Sequence, residues 1–366
     1  MDPVLPCVAS SPLVDHHCHG VLRDDVDRDG FESMLTEASS VSPLGTSLFD
    51  SSLGLAVRRW CAPLLDLPVL VSADEYLVRR RSLGAAEVNR VFLAASGIST
   101  FLVDGGLSPE RLVGPSAFTG SSELPVLRLE WLAEQVVAEG AGGFPARVRA
   151  ALDSSSAVAA KSIAAYRVGL ALDPERPSDA SVVAAVDRWL SSGSDRCADE
   201  VVSRFLVWEA LERGLPVQFH VGYGDADLSL RDCDPLLLTD LLRATAPLGV
   251  PVMLLHNYPF HRHAGYLAQV FPHVFVDLGL ATHGVAHQAS RVLAEALEIV
   301  PFGKFLFSSD AYGLGELYYL GAFFFRRALS DFLTDGLRSR AFGMADAERV
   351  SDLIGWQNAH RAYRLD

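Results

Sequence analysis

The sequence predicts an α/β protein, a (β/α)8 barrel with a mostly helical insertion after the first strand. Three observations carry that prediction. Eight short β-like segments, many bounded by Gly, Pro or polar residues, recur at residues 13–19, 99–104, 125–130, 158–161, 216–220, 251–256, 274–278 and 304–309. The stretches between them show helical spacing, clearest at 180–190, 198–213, 236–244 and 285–299, and repeated strand–helix–strand units imply parallel pairing through right-handed crossovers. Polar residues stand at the C-terminal ends of many of these segments. That favours a barrel over a doubly wound open sheet, because barrel active sites are built at that end.

The first segment, Val14-Asp-His-His-Cys-His-Gly20, is the strongest signal. Side chains alternate along a strand, so Asp15, His17 and His19 are expected on one face, with His16 and Cys18 on the other. His17 and His19 can then grip one ion from inside the barrel, with Asp15 supporting a ligand from behind. Two imidazoles at this separation suit Zn²⁺ or another borderline divalent metal. A surface strand with spare histidines would leave Gly20 and the later histidines unexplained. The next connection, residues 20–95, is far longer than an ordinary crossover and holds an apolar stretch at 60–70 and a helix-like stretch at 73–94. It reads as a helical cover over the barrel mouth, either a lid or a dimer contact, which leaves a homo-oligomer open. No repeat or linker marks a second domain, so residues 1–366 are read as one barrel.

In the third segment Arg128 and Glu130 alternate with Leu127 and Leu129 and are expected to share a face. An internal salt bridge and contact with substrate are both open for this pair. Lys161 closes the apolar run at 157–160. It can bind a substrate carboxylate as an ammonium, or become carbamylated and bridge two metals. Tyr166 and Arg167 follow closely and can complete an anion pocket. The fifth and sixth segments end in His220, which shares a face with Gln218, and in His256. Two successive strands ending in histidine, after a His-x-His strand, point to metal or catalytic roles. The eighth, Phe305-Leu-Phe-Ser-Ser-Asp310, delivers a carboxylate beside the metal, placed to accept a proton from activated water. Capping of a following helix by Asp310 is compatible with that role. The tail at 346–363 reads as a final helix.

Composition sets the remaining bounds. A chain of 366 residues with 49% hydrophobic residues can bury a large core, and 29 Gly and 19 Pro are ordinary fractions. A net charge of −14 disfavours nucleic acid and anionic membranes as partners but leaves a small anionic substrate open. The first residues lack a basic region followed by an apolar stretch, and no apolar run has a membrane-spanning length. Five scattered cysteines with no CxxC fit reduced thiols, so a cytoplasmic protein is expected. Residues 25–30 imitate the start of a calcium loop, but Thr36 stands where a bidentate Glu is needed, and a solvated turn is the better reading. His261, His263, His273, His283 and His287 fall in or beside helices and loops and are read mostly as surface or structural residues.

Taken in chain order, His17/His19, Lys161, His220, His256 and Asp310 resemble the amidohydrolase superfamily of metal-dependent (β/α)8 hydrolases. Within it the sequence is similar to the amidohydrolase-related branch found alone in bacteria or fused to glutamine synthetase, the FluG and nodulin type. Residues 14–20, 161–170, 215–225, 255–259 and 307–313 carry the likeness. The resemblance implies His17, His19 and His220 as metal ligands and Asp310 as ligand and proton acceptor. It implies His256 as a ligand or as the group that polarises the electrophile. One or two divalent ions are implied, zinc first, with the second ion dependent on carbamylation of Lys161. The substrate side falls to Lys161, Arg167, Arg128, Glu130 and Tyr166, and the activity implied is hydrolysis of a C–N bond in a small molecule. Two other readings compete: a metal-dependent non-oxidative decarboxylase, and a non-catalytic metal-binding barrel that assists a synthetase-like enzyme.

Overall fold

Seven parallel strands form one curled sheet in a computed structural model that describes residues 4–38, 42–108 and 110–365. They are β1 (Leu13–Cys18), β2 (Ile98–Asp104), β3 (Ser122–Arg128), β4 (Ala159–Ser162), β5 (Val217–Val221), β6 (Val252–His256) and β7 (Val274–Val276). Each pairs with its neighbour in chain order. The ends of the reading at 1–366, and residues 39–41 of the insertion, lie outside the described residues.

The expected eighth strand is not a regular strand. Residues Phe302–Lys304 make a tight helical turn, and from the extended Phe305 the chain crosses the gap between β7 and β1. The Leu306 amide donates to the Val276 carbonyl at 2.9 Å, and the amides of His16 and Asp310 meet the carbonyls of Phe307 and His17 at 3.2 and 3.0 Å. The ladder fails at Ser309 because its amide and hydroxyl both donate to the Asp15 side chain, at 2.8 and 2.5 Å. A carboxyl group thus takes the place of a backbone acceptor, and the barrel still closes.

The third segment is also shifted. β3 ends at Arg128, and Leu129–Val136 is a helix whose Leu129, Leu132 and Ala133 form a buried stripe. Its i, i+3, i+4 spacing outweighed the short alternation read as a strand. Arg128 and Glu130 therefore do not share a face.

The strands are buried on both sides except for β3 and the start of β2. Outside, they pack on the surrounding helices. Inside, Val14, Leu102, Val126, Met253, Leu255 and Leu306 fill the floor of the barrel together with Ala359, Ala362 and Tyr363. The last three come from the C-terminal helix Asn358–Tyr363, which plugs the floor. The connection between β1 and β2 is mostly helical, with Arg28–Ser33, Ser52–Ala56, Ala73–Leu83 and Ala85–Ser96 as its α-helices. Arg80 Nε and Tyr76 Oη donate to the buried Glu316 at 2.8 and 3.0 Å, tying this cover to the long helix Gly315–Ser339.

Candidate metal centre

β1 breaks its own alternation. Its pairing with β2 is irregular between Asp15 and Cys18, and the contacts show the result. Asp15 turns to Ser309, Cys18 Sγ reaches the Leu102 carbonyl, and both His16 and His17 lie among groups of the barrel interior. The expected split, with Asp15 beside His17 and His16 opposite, is corrected by this irregularity. Asp15 supports the segment that carries Asp310 and, among the described residues, makes no hydrogen bond to a histidine ring. Burial pushes its carboxyl up to about 8 against the pull of the two Ser309 bonds.

Three imidazoles from two strand ends, β1 and β6, meet one carboxylate. Asp310 Oδ1 lies 3.2 Å from His17 Nε2 and 3.4 Å from His19 Nε2, and Oδ2 lies 3.3 Å from His256 Nδ1. The ligand atoms of His17, His19 and Asp310 all fall within 4.8 Å of one another. The His220 ring stands 4.8 Å from that of His256, and its buried Nε2 finds no hydrogen-bond partner among the described residues. Lys161 Nζ is 3.4 Å from His17 Nε2.

The backbone that presents these groups is strained. His256, Asn257 and Asp310 have φ of 67°, 59° and 49°, in the left-handed region. Asn and Asp tolerate it better than most residues. The His256–Asn257 pair is held by Asn257 Nδ2, which donates to the carbonyls of Leu254 and Asp277, while Asp277 Oδ1 accepts the His256 amide at 2.7 Å. Such over-determined strain is typical of functional sites.

Burial pushes Asp310 up, but His256, His17 and His19 outweigh it and hold the carboxyl well below its ordinary range. Burial lowers His17 to about 4 and His220 to about 3, with the Lys161 charge adding to both. Lys161 itself falls to about 8, again through burial, partly offset by Asp310 and Asp104. Near neutral pH His17, His220 and His256 are thus neutral beside an anion, a donor set that suits a divalent cation.

A cavity of about 1050 Å³ opens over this cluster. His19, Lys161, His220, His256 and Asp310 line it, as do Arg128, Tyr166 and Arg167, while His17 is buried behind them. Arg128 is engaged by Asp104. Arg167 Nη2 lies 3.1 Å from Glu134, and its buried Nε and Nη1 have no partner among the described residues. Glu130 is absent from the lining. It is fully buried and accepts from the Ser162 hydroxyl at 2.8 Å and the Ile163 amide at 3.0 Å, which makes it a brace for the end of β4. Ser33, Thr36, Glu37 and Leu53 of the insertion also face the cavity.

Several participants escaped sequence reasoning. Asp104 ends β2 and its carbonyl accepts from His19 Nδ1 at 3.1 Å. Asp277 follows β7. Both are polar residues at strand ends, so the rule that singled out Asp310 applied to them as well. His283 was grouped with the structural histidines, yet it is buried and lines the cavity. Glu37, Tyr223 and Tyr363 carried no local signal.

The model of the family described as amidohydrolase matches residues 129–365. The chain belongs to the amidohydrolase family. The chain is 31% identical to a solved structure from Lactobacillus casei ATCC 334 described as a metal-dependent hydrolase, with a TM-score of 0.83 over 98% of this chain and 96% of the other. It is 27% identical to protein fluG of Emericella nidulans over 98% of its own length and 46% of the fungal protein, so it spans about half of that relative. A uronate isomerase from Bacillus halodurans C-125 shares the fold, with a TM-score of 0.62 at 14% identity, covering 98% of this chain and 95% of the isomerase. No helix of the chain, among the described residues, is long and apolar enough to cross a membrane.

Proposed function

We propose that the protein hydrolyses a C–N bond, amide or amide-like, in a small carboxylate-bearing molecule, using one divalent cation, or two if Lys161 is carbamylated. The observation that carries this reading is the convergence of His17, His19 and His256 on Asp310 at the base of a large cavity. His17, His19, His220 and Asp310 would hold the cation, with zinc the first candidate. A cation there supplies a water nucleophile at neutral pH and polarises a carbonyl. Asp310, already anionic, takes the proton of the attacking water and returns it to the leaving nitrogen. His256 lies beside the carboxylate, where it can steady charge that develops on the carbonyl oxygen. Arg167, with two buried donors unanswered among the described residues, and Lys161 are the groups for the substrate carboxylate, and Tyr166 shapes the wall between them and His220. Arg128 serves the site indirectly, because Asp104 takes its charge.

The test is turnover of a panel of N-acylated and amidated carboxylic acids in oxygen-18 water by the metal-loaded protein. Incorporation of one label into the product carboxyl, lost in Asp310→Asn, is the expected result. Release of carbon dioxide without label would replace hydrolysis by decarboxylation. Bound divalent metal with no turnover of any member of the panel would leave a non-catalytic metal-binding barrel.

A further inference from the structure

Beneath the metal centre lies a hydrogen-bonded chain whose proton directions can all be assigned. Gln218 of β5 is fully buried, and its Nε2 donates to the His16 carbonyl at 2.7 Å and to Tyr363 Oη at 2.8 Å. The His16 carbonyl can only accept, so the amide cannot be turned over. Its Oε1 therefore faces His17 Nδ1, at 2.8 Å, and that nitrogen must carry the proton. His17 Nε2 is left as a lone pair aimed at the side of the site where Asp310 stands. The far end closes as consistently. Tyr363 Oη, having accepted from Gln218, donates to His16 Nδ1 at 2.8 Å, and His16 Nε2 then donates to Asp277 Oδ2 at 2.7 Å. The other oxygen of Asp277 accepts the His256 amide. The chain runs from one candidate ligand to the backbone of another, through four residues that do not face the cavity.

We infer that Gln218 is a positioning residue for the metal centre, fixing the tautomer in which His17 offers Nε2 to a cation, and that Tyr363 locks Gln218 from the barrel floor. The inference rests on the reading of His17 as a metal ligand and goes beyond it. Groups behind a metal-bound histidine set its tautomer and ring orientation, and their loss typically weakens metal binding by about 10–100-fold. The anchor here comes from the C-terminal helix, at the opposite end of the chain from the ligand it serves.

Two variants of the full chain test this, Gln218→Met and Tyr363→Phe, with two readouts. In the metal-free protein, nitrogen-15 histidine NMR should show His17 protonated at Nδ1. Gln218→Met should lose that single tautomer, and Tyr363→Phe should shift it towards a mixture. Competition titration with Zn²⁺ should weaken about 10–100-fold in Gln218→Met, and less, about 3–10-fold, in Tyr363→Phe. An unchanged His17 tautomer with zinc affinity within about twofold of the parent, even if thermal stability fell, would reduce both residues to packing and overturn the inference. Should either variant fail to fold, the other decides. A His17 tautomer that depends on Gln218 in a protein that binds no zinc would uphold the positioning and sink the metal-site reading instead, so the two failures are distinguishable.

Discussion

Arg128 lays both Nε and Nη2 against a single oxygen of Asp104, at 2.9 and 2.6 Å. The carboxylate is fully buried and the guanidinium nearly so, and the carbonyl of the same aspartate receives His19 Nδ1. The ion pair therefore braces a candidate metal ligand. Arg128→Met strands a buried charge and should cost about 3–5 kcal/mol in urea unfolding. Adding Asp104→Asn to it should recover part of that loss, because no charge is then left unpaired. Equal losses in the single and double variants would show that packing, and not charge pairing, sets the value.

Metal content separates ligands from bystanders. His17→Asn, His19→Asn and Asp310→Asn should each leave far less than one divalent ion per chain by elemental analysis after gel filtration, whereas His263→Asn, on the surface beside Asp234, should bind like the parent. Chelation should lower the parent's melting temperature, since a ligand present at about a thousand times its Kd adds about 4 kcal/mol to stability. The same treatment should leave Asp310→Asn unmoved.

Glu37 offers a pH signature that needs no substrate. Burial, then the charges of Asp310 and Asp225, pushes its carboxyl up to about 7. The folded value lies above the unfolded one, so the contribution of this group to stability is complete below about pH 4.5 and is lost as pH rises through about 7. Glu37→Gln stays neutral throughout. In the metal-free protein it should gain about 1–3 kcal/mol over the parent near pH 8 and nothing near pH 4. A constant difference across that range would rule out the titration of Glu37 as its source.

Gly222, just past His220, has φ of 85°, and a Cβ there would stand 2.2 Å from the carbonyl oxygen of Tyr258. Neither the dihedral nor the contact can be relieved without moving the loop at the cavity mouth. Gly222→Ala should destabilise by more than about 1 kcal/mol and disturb zinc affinity through His220. Gly249→Ala also sits at positive φ, at 63°, but meets nothing within 4 Å, and it should cost only the dihedral penalty.

Much of this barrel was legible because its strands are short, apolar and punctuated, and because histidines and an aspartate at strand ends announce the mouth. The errors have local physical causes. Leu127 to Glu130 alternates over too few residues to distinguish a strand from the first turn of a helix, and the buried stripe at Leu129, Leu132 and Ala133 decided it. An irregularity in β1 turns two consecutive histidines inward, which strict alternation forbids. Tyr363 shows the other limit. Its partners, His16 and Gln218, lie 347 and 145 residues away, and nothing in its neighbourhood marks it as part of the metal centre.

The closure of the barrel by Asp15 and Ser309, 294 residues apart in sequence, also sets a timetable. A chain emerging from the ribosome presents His17 and His19 long before the carboxylate they face. Until then the two imidazoles lack their anionic partner and can hold a cation only weakly. On the proposed reading, tight uptake of the ion is deferred to the closed barrel, and a bound metal reports that β1 and the segment carrying Asp310 have met.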